Sequence, residues 1–178
     1  VGAGTVLRDL IESKTIGVTK LSEIFRQSKG SKIVTNAHRI NHGEFPELIS
    51  GPQSDFHFIE LDEPEEIREK ILKLVSEEIP NTHHFHSIDD IQVLSPMKRG
   101  IIGIEMLNET LQEKLNPSDR PFFRGGRKFH IGDKVMQLRN NYNKKVMNGD
   151  LGRIEGICLE EEVLTVSFEE KSVVYEFS

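Results

Sequence analysis

A single cysteine, Cys158, is the only thiol in the 178 residues of this chain. One thiol excludes an internal disulfide framework and a four-cysteine metal site. Because Cys158 lies in an alternating apolar and polar run, IEGICLE, we expect a buried structural thiol rather than a reactive one. No apolar run approaches the roughly 18 residues that cross a membrane, and no charged and then apolar signal segment opens the chain. These absences predict a cytoplasmic protein without a membrane partner.

The sequence also lacks a phosphate loop of the form G----GK[ST], and no acidic Mg²⁺-binding motif follows a predicted strand. These two elements position the phosphates of a nucleotide, so we expect the chain alone to bind neither ATP nor Mg²⁺ and to be inactive as an ATPase. Three histidines cluster at His83, His84 and His86. No carboxylate or cysteine completes an obvious ligand set around them, and we predict a solvated loop without a metal site.

The net charge of −6 hides an uneven distribution. Residues 98–153 carry twelve Lys and Arg against six Asp and Glu, whereas residues 154–178 carry one against seven. Residues 1–97 are also acidic, with ten against sixteen. Binding to phosphates requires local positive charge rather than a positive total, so the middle segment is the candidate for contact with a nucleic acid.

Helical and strand patterns alternate through the first two thirds of the chain. Apolar spacing and end signals predict helices at 5–13, 31–42, 64–80 and 103–115. Short strands are predicted between them, at 18–21, 56–61 and 91–94. This alternation is typical of α/β layering on a parallel sheet.

The last third of the chain shows only strand patterns. We predict strands at 129–138, 146–149, 151–158, 163–168 and 173–177. Five short strands in so few residues favour a small SH3-like β-barrel. A link rich in Pro, Gly and Arg, at 116–126, separates the two patterns, and we predict one domain over 1–120 and a second over 121–178.

The run GDKVMQLRNNYNKKVMNGDLG, at 132–152, combines strand alternation with a polar, basic centre. Asn148, Gly149 and the following aspartate favour a turn, because Asn and Gly adopt positive φ at little cost. The pattern predicts a surface hairpin. A second interpretation is that its side chains bind a nucleic acid strand by stacking and by charge. The candidate contacts are Arg139, Asn141, Tyr142, Lys144 and Lys145.

This run resembles the GD-V-M-Q--NNY----NGD-G signature of RecD/TraA-type DNA helicases of superfamily 1, the family of the exodeoxyribonuclease V alpha subunit. Three earlier segments resemble that family in the same order. They are VGAG at 1–4, LSEIFRQ at 21–27 with IVTNAHRIN at 33–41, and VLSPMKRG at 93–100 with the leucine and asparagine positions up to 117. The family's later motifs are missing. The resemblance therefore implies a fragment: part of the second motor domain, which is RecA-like, followed by the inserted SH3-like domain.

The resemblance implies roles for two residues of the FRQ segment. Arg26 matches the family arginine that reaches the terminal phosphate of ATP across the motor cleft, and Gln27 lies beside it. An arginine suits this role because its planar fork of donors spreads over phosphoryl oxygens as charge develops there. ATP and Mg²⁺ would be held by the first motor domain of the parent protein, the longer protein that the resemblance implies. From the residues alone, Arg26 could equally form a surface salt bridge.

Ser95, Lys98 and Arg99 follow the predicted strand at 91–94. In α/β sheets, ligand-binding loops lie at the carboxyl ends of strands, so these three residues are candidates for contact with the DNA backbone. A solvated turn is the alternative. The family's activity would make the parent an ATP-driven helicase that moves 5′-to-3′ on single-stranded DNA in recombination or repair, alongside other subunits of a recombination complex. Two alternatives stay open: a non-enzymatic nucleic-acid-binding module, and part of a conjugative relaxase-helicase.

Overall fold

The computed structural model of the chain describes residues 4–19, 30–49, 51, 54–169 and 171–177. The chain divides into two compact units, Val1–Glu60 and Leu61–Ser178. The domain boundary predicted at 116–126 stays a prediction. In the described parts of the chain, no helix is long and apolar enough to span a bilayer, and no group of side chains is suited to hold a metal ion.

The first unit contains two helices, α1 (Val6–Ser13) and α2 (Lys32–Asn41). The hydroxyl of Ser31 accepts a hydrogen bond from the Val34 N–H, which caps the first turn of α2. Gly43 follows the helix at a φ of 77°, a conformation that glycine adopts without steric cost. Both predicted helices are confirmed by these bounds.

The buried residue of α2 is polar rather than apolar. Ile33 and Ile40 are 45% and 59% exposed, whereas Asn36 is 2% exposed. The Asn36 amide donates to the Glu47 carbonyl at 3.0 Å and accepts from the Glu47 N–H at 2.8 Å. A polar residue is buried here because both of its amide atoms are satisfied by one backbone segment.

The second unit begins with a continuous helical segment that passes through a proline. It consists of α3 (Pro64–Lys73), a π-helical turn (Leu74–Glu78) and α4 (Ile79–His83). Helix α3 starts at Pro64 as predicted, but the helix does not stop at Pro80. The π-turn, which is wider than an α-helical turn, precedes Pro80. In a regular α-helix the ring of Pro80 would clash with the carbonyl four residues earlier, and the wider turn relieves that clash. The helix ends instead at His83, and the residue after it, His84, has a φ of 57°.

Helix α5 (Ile104–Leu115) confirms the last predicted helix, and Leu107 is its buried residue. Of the three segments predicted as strands before it, residues 56–61 and 91–94 form no strand, and the segment at 18–21 lies partly outside the described residues. A strand is stabilised by its neighbours, and in the described part of the chain every strand pair is antiparallel and lies after α5. The predicted parallel sheet is therefore not present in these residues.

Six strands follow α5 and form two antiparallel sheets. The first pairs β1 (Phe122–Arg124) with β2 (Arg127–Phe129). The second has the order β3–β4–β5–β6, with bounds Lys134–Met136, Leu151–Cys158, Val163–Phe168 and Lys171–Glu176. We call residues 137–150, between β3 and β4, the hairpin connection. The predicted strand at 146–149 is wrong, because only Val146 there makes a bridge, and the described sheets do not close into a barrel.

The four-stranded sheet is held by a small apolar core. Ile154 is 1% exposed and Val166 is 3% exposed, and these two residues are partners across β4 and β5. Gly152 lies beside them at the start of β4. A Cβ atom there would come within 2.5 Å of the Val166 Cγ1 and 2.8 Å of the Ser167 carbonyl oxygen. A glycine is therefore required at this position.

Candidate nucleic-acid interface

Backbone hydrogen bonds hold the hairpin connection in shape. The Gln137 N–H donates to the Asp150 carbonyl at 2.9 Å, and the Gly149 N–H donates to the Gln137 carbonyl at 2.8 Å. Further from the sheet, Asn141 and Val146 exchange two hydrogen bonds of 2.7 and 3.0 Å. Val146 is completely buried. The predicted surface hairpin is confirmed, with β3 and β4 paired and an ordered connection between them.

The asparagines of the connection bind its own backbone. The Asn140 Oδ1 accepts from the Asn148 N–H at 2.8 Å, and the Asn141 Oδ1 accepts from the Lys144 N–H at 3.1 Å. These side chains replace backbone partners in turns, as Asn commonly does. Lys145 has a φ of 53°, so the tip is a tight turn in the left-handed region. Asn141 therefore has a structural bond in addition to its predicted role as a DNA contact.

Of the five predicted contact residues of the connection, three are exposed to solvent: Arg139, Tyr142 and Lys145. Tyr142 is 72% exposed, and its hydroxyl accepts a 3.3 Å hydrogen bond from the amide of Asn140. In the described part of the chain, no carboxylate lies within 4 Å of the charged groups of Arg139 or Lys145. Two cations without a local counter-ion beside an exposed aromatic ring can bind phosphate and stack on a base.

Lys144 behaves differently from its neighbour. Its Nζ donates to the Val174 carbonyl and lies 5.2 Å from the centre of the Tyr175 ring. Burial, and after it the Asp150 carboxylate, raises the pKa of Tyr175 above its ordinary value of 10.0. The phenol is therefore protonated at neutral pH and donates to the Gln137 Oε1 at 2.8 Å. The ammonium of Lys144 is thus bound to residues of β6.

Lys171 is the contact that the sequence patterns did not identify. Its Nζ donates to the carbonyl oxygens of Lys144 and Lys145, and so binds the tip of the hairpin connection to β6. One signal was present in the sequence. Residues 154–178 contain seven acidic residues, and Lys171 is the only Lys or Arg in that segment. A lone cation in an acidic segment is a candidate for a structural contact.

The predicted loop after residue 94 is ordered by its own hydrogen bonds. The Ser95 hydroxyl donates to the Ile102 carbonyl at 2.8 Å, so this side chain closes the loop. Lys98 is exposed and lies 3.8 Å from a carboxylate oxygen of Glu105. Arg99 is exposed. Lys98 and Arg99 can therefore reach a ligand in solvent, whereas the hydroxyl of Ser95 is already engaged.

Arg26 and Gln27, the predicted ATP contacts, lie outside the described residues. The predictions for these two residues stay predictions. Gln112 donates to the Lys128 carbonyl at 3.0 Å and to the Asp133 carboxylate. The contact ties α5 to the segment before β3.

Comparison with known proteins finds a family model that matches the hairpin. Residues 107–168 match the family described as the SH3 domain of ATP-dependent RecD-like DNA helicases. The chain is also similar to the ATP-dependent RecD2 DNA helicase of Deinococcus radiodurans, with 30% identity over 150 residues. That similarity covers 84% of this chain and 19% of the relative, so the chain spans about a fifth of the relative's length.

Proposed function

We propose that this chain, which both similarities support as a fragment of a RecD-type DNA helicase, contributes a DNA-contacting wall to an ATP-dependent motor. The parent protein would move 5′-to-3′ along single-stranded DNA in recombination or repair. In this proposal residues 1–120 are part of the second RecA-like motor domain, and residues 121–178 form the SH3-like insertion. The parent would be cytoplasmic and would work with other subunits of a recombination complex.

The exposed side chains of the hairpin connection are the observation that carries the proposal. Arg139, Tyr142 and Lys145 extend from a connection whose backbone is fixed by internal hydrogen bonds. A fixed backbone reduces the entropy that is lost when side chains bind a strand. Cations that follow the phosphates, with an aromatic ring for a base, are the usual components of a site for single-stranded nucleic acid. Lys98 and Arg99 are proposed as a second set of backbone contacts.

The role in ATP hydrolysis is proposed from the FRQ segment. Arg26 would contact the terminal phosphate as negative charge develops on it, with Gln27 beside it, while the first motor domain of the parent holds ATP and Mg²⁺. This division of the site explains why a chain without a phosphate loop can still contribute a catalytic arginine. The chain alone is therefore expected to be inactive.

Strand displacement by the full-length parent tests the proposal. The parent is assayed with ATP on duplexes that carry a single-stranded tail at either the 5′ or the 3′ end. Unwinding that requires the 5′ tail is expected. Unwinding from the 3′ tail would contradict the direction. DNA binding without ATP turnover would favour a non-enzymatic binding module, and DNA nicking through a covalent intermediate would favour a relaxase-helicase.

A further inference from the structure

Two cations at the base of the hairpin bind the loop that precedes the Ser95 turn. Lys134 in β3 and Arg153 in β4 are direct cross-strand partners, so their side chains lie on the same face of the sheet. The Lys134 Nζ donates to the carbonyl oxygens of Ile88 at 2.9 Å and Asp89 at 3.3 Å. The guanidinium of Arg153 donates to the Asp89 carboxylate. We call Lys134, Arg153 and Asp89 the hairpin clasp.

The loop that the clasp binds is internally braced. The His86 N–H donates to the Asp90 carboxylate at 2.7 Å, and the Asp90 N–H donates back to the His86 carbonyl at 2.9 Å. The His86 Nδ1 lies 2.9 Å from the second carboxylate oxygen of Asp89. The Arg153 hydrogen bond, the largest cause, lowers the pKa of Asp89 below its ordinary value of 3.8. Asp89 therefore remains charged at neutral pH, and the loop is held as a unit.

The residue that precedes Lys134 binds the other end of the same chain segment. The Asp133 carboxylate accepts from the Asn116 amide at 2.8 Å and also from Gln112, both at the end of α5. The segment from Ile88 to Asn116 is therefore held at both ends by two consecutive residues: Lys134 binds its start and Asp133 binds its end.

The part of that segment between the two anchors is also closed by hydrogen bonds. The Ile104 N–H donates to the Met97 carbonyl at 2.9 Å, and the Glu105 N–H donates to the Lys98 carbonyl at 3.2 Å. A Cβ at Gly103 would lie 2.5 Å from the Arg99 backbone, so the loop packs directly on the start of α5. A loop with these contacts moves with its anchors rather than deforming between them.

We propose that Lys134 and Arg153 are positioning residues that couple the hairpin to the loop 95–103, so that DNA bound on the hairpin changes the position of that loop. The inference rests on the proposed function, because it assumes that the hairpin connection binds DNA. It adds a route by which strand binding reaches the segment that the resemblance places in the motor domain. Neither Lys134 nor Arg153 contacts the strand in this account.

Amide hydrogen exchange on the full-length parent tests the coupling, with an unstructured oligothymidylate as the probe. In the wild type, the oligonucleotide is expected to slow exchange both in the hairpin connection and at residues 95–103. In Lys134→Met with Arg153→Met, the hairpin connection stays protected, while the DNA-dependent slowing at 95–103 falls by about fivefold or more, the lower end of typical coupling between sites. Lys134→Met alone serves the same purpose if the double variant does not fold.

The control is Lys114→Met, which removes one cation and an exposed pair with Glu77 but leaves the clasp intact. It is expected to behave as the wild type. Equal slowing at 95–103 in the wild type and the clasp variants would overturn the coupling but not the proposed function. Slowing that is confined to the hairpin connection in the wild type would have the same consequence. Absence of protection in the hairpin connection itself would overturn both.

Discussion

The Lys144 ammonium lies 5.2 Å from the centre of the Tyr175 ring and donates to the carbonyl of the preceding residue, Val174. Strand β6 is at the far end of the sheet order from β3, and no backbone ladder joins the two in the described residues. Lys171 strengthens the same contact from the other side, because its ammonium donates to carbonyls at the tip of the hairpin connection. Side chains therefore join the two ends of a sheet that its backbone leaves open.

From this contact we expect Lys144→Met to lower stability rather than DNA affinity. The substitution keeps the aliphatic stem and removes a charged hydrogen bond and a cation–π contact, which together stabilise by about 1–3 kcal/mol. Urea unfolding of the chain measures the loss. Lys145→Met, at an exposed neighbouring position, is the control and is expected to stay within about 0.5 kcal/mol of the wild type. Equal stability of the two variants would show that Lys144 is a solvated side chain.

Strand β4 offers a matched pair of glycines. Gly152→Ala would place a Cβ 2.5 Å from the Val166 Cγ1 and 2.8 Å from a backbone oxygen, and the expected cost is about 1–3 kcal/mol. At Gly156 a Cβ would meet no atom within 4 Å, so Gly156→Ala is expected to change stability by less than about 1 kcal/mol. Urea unfolding of both variants compares them. Similar costs at the two positions would mean that crowding does not explain Gly152.

The start of α2 has a pH-dependent contact. The Ser31 hydroxyl, and after it the N–H groups of Lys32 and Ile33, lower the pKa of Asp55 below its ordinary value of 3.8. Because the folded-state pKa is the lower one, this contact stabilises fully above about pH 4 and is lost as the pH falls through the folded-state value. Asp55→Asn is therefore expected to be less stable than the wild type at about pH 6, with the difference shrinking at about pH 3.

Urea unfolding at the two pH values checks this prediction. Asp119→Asn is the control, because it removes a surface carboxylate that makes no ion pair within the described residues. A stability difference for Asp55→Asn that does not change with pH would assign the effect to lost packing rather than to charge.

In the parent protein, Arg26→Lys is expected to preserve DNA binding and to reduce ATP turnover by about a hundredfold or more. Lysine supplies a point charge without the planar fork of donors, so it does not reproduce the geometry around the transferring phosphoryl group. Steady-state ATPase assays with saturating DNA measure the loss. Turnover equal to that of the wild type would assign Arg26 to a structural salt bridge.

The sequence predicted the elements that local signals define. Apolar spacing and end signals placed α2 to within one residue at each end, and Asn148 with Gly149 placed the turn before β4. Each of these signals depends on a few neighbouring residues, so it can be recognised in a single sequence. The helix through Pro80 was missed, because a π-turn leaves no composition signal of its own.

Features that depend on distant partners were not predictable in the same way. The alternation at 56–61 indicated a strand, but strand formation depends on the surrounding sheet as well as on the pattern, and this segment is not a strand in the described structure. The burial of Asn36 depends on the Glu47 backbone, which lies eleven positions away in the chain. For the candidate site, the basic residues could be named from the sequence. The structure was needed to show that Lys145 is exposed whereas the ammonium of Lys144 is hydrogen-bonded to the Val174 carbonyl.

The salt dependence of single-stranded DNA binding by the full-length parent tests the central claim most directly. Arg139→Ala and Lys145→Ala are each expected to flatten the slope of log K against log salt by about 0.7, because each removes one phosphate contact. Tyr142→Ala should cost about 1–3 kcal/mol without changing the slope, since stacking releases no counterions. Lys144→Met should leave the slope at the wild-type value. Wild-type affinity and slope in the Arg139, Tyr142 and Lys145 variants would contradict the account and show that the strand does not contact the hairpin connection.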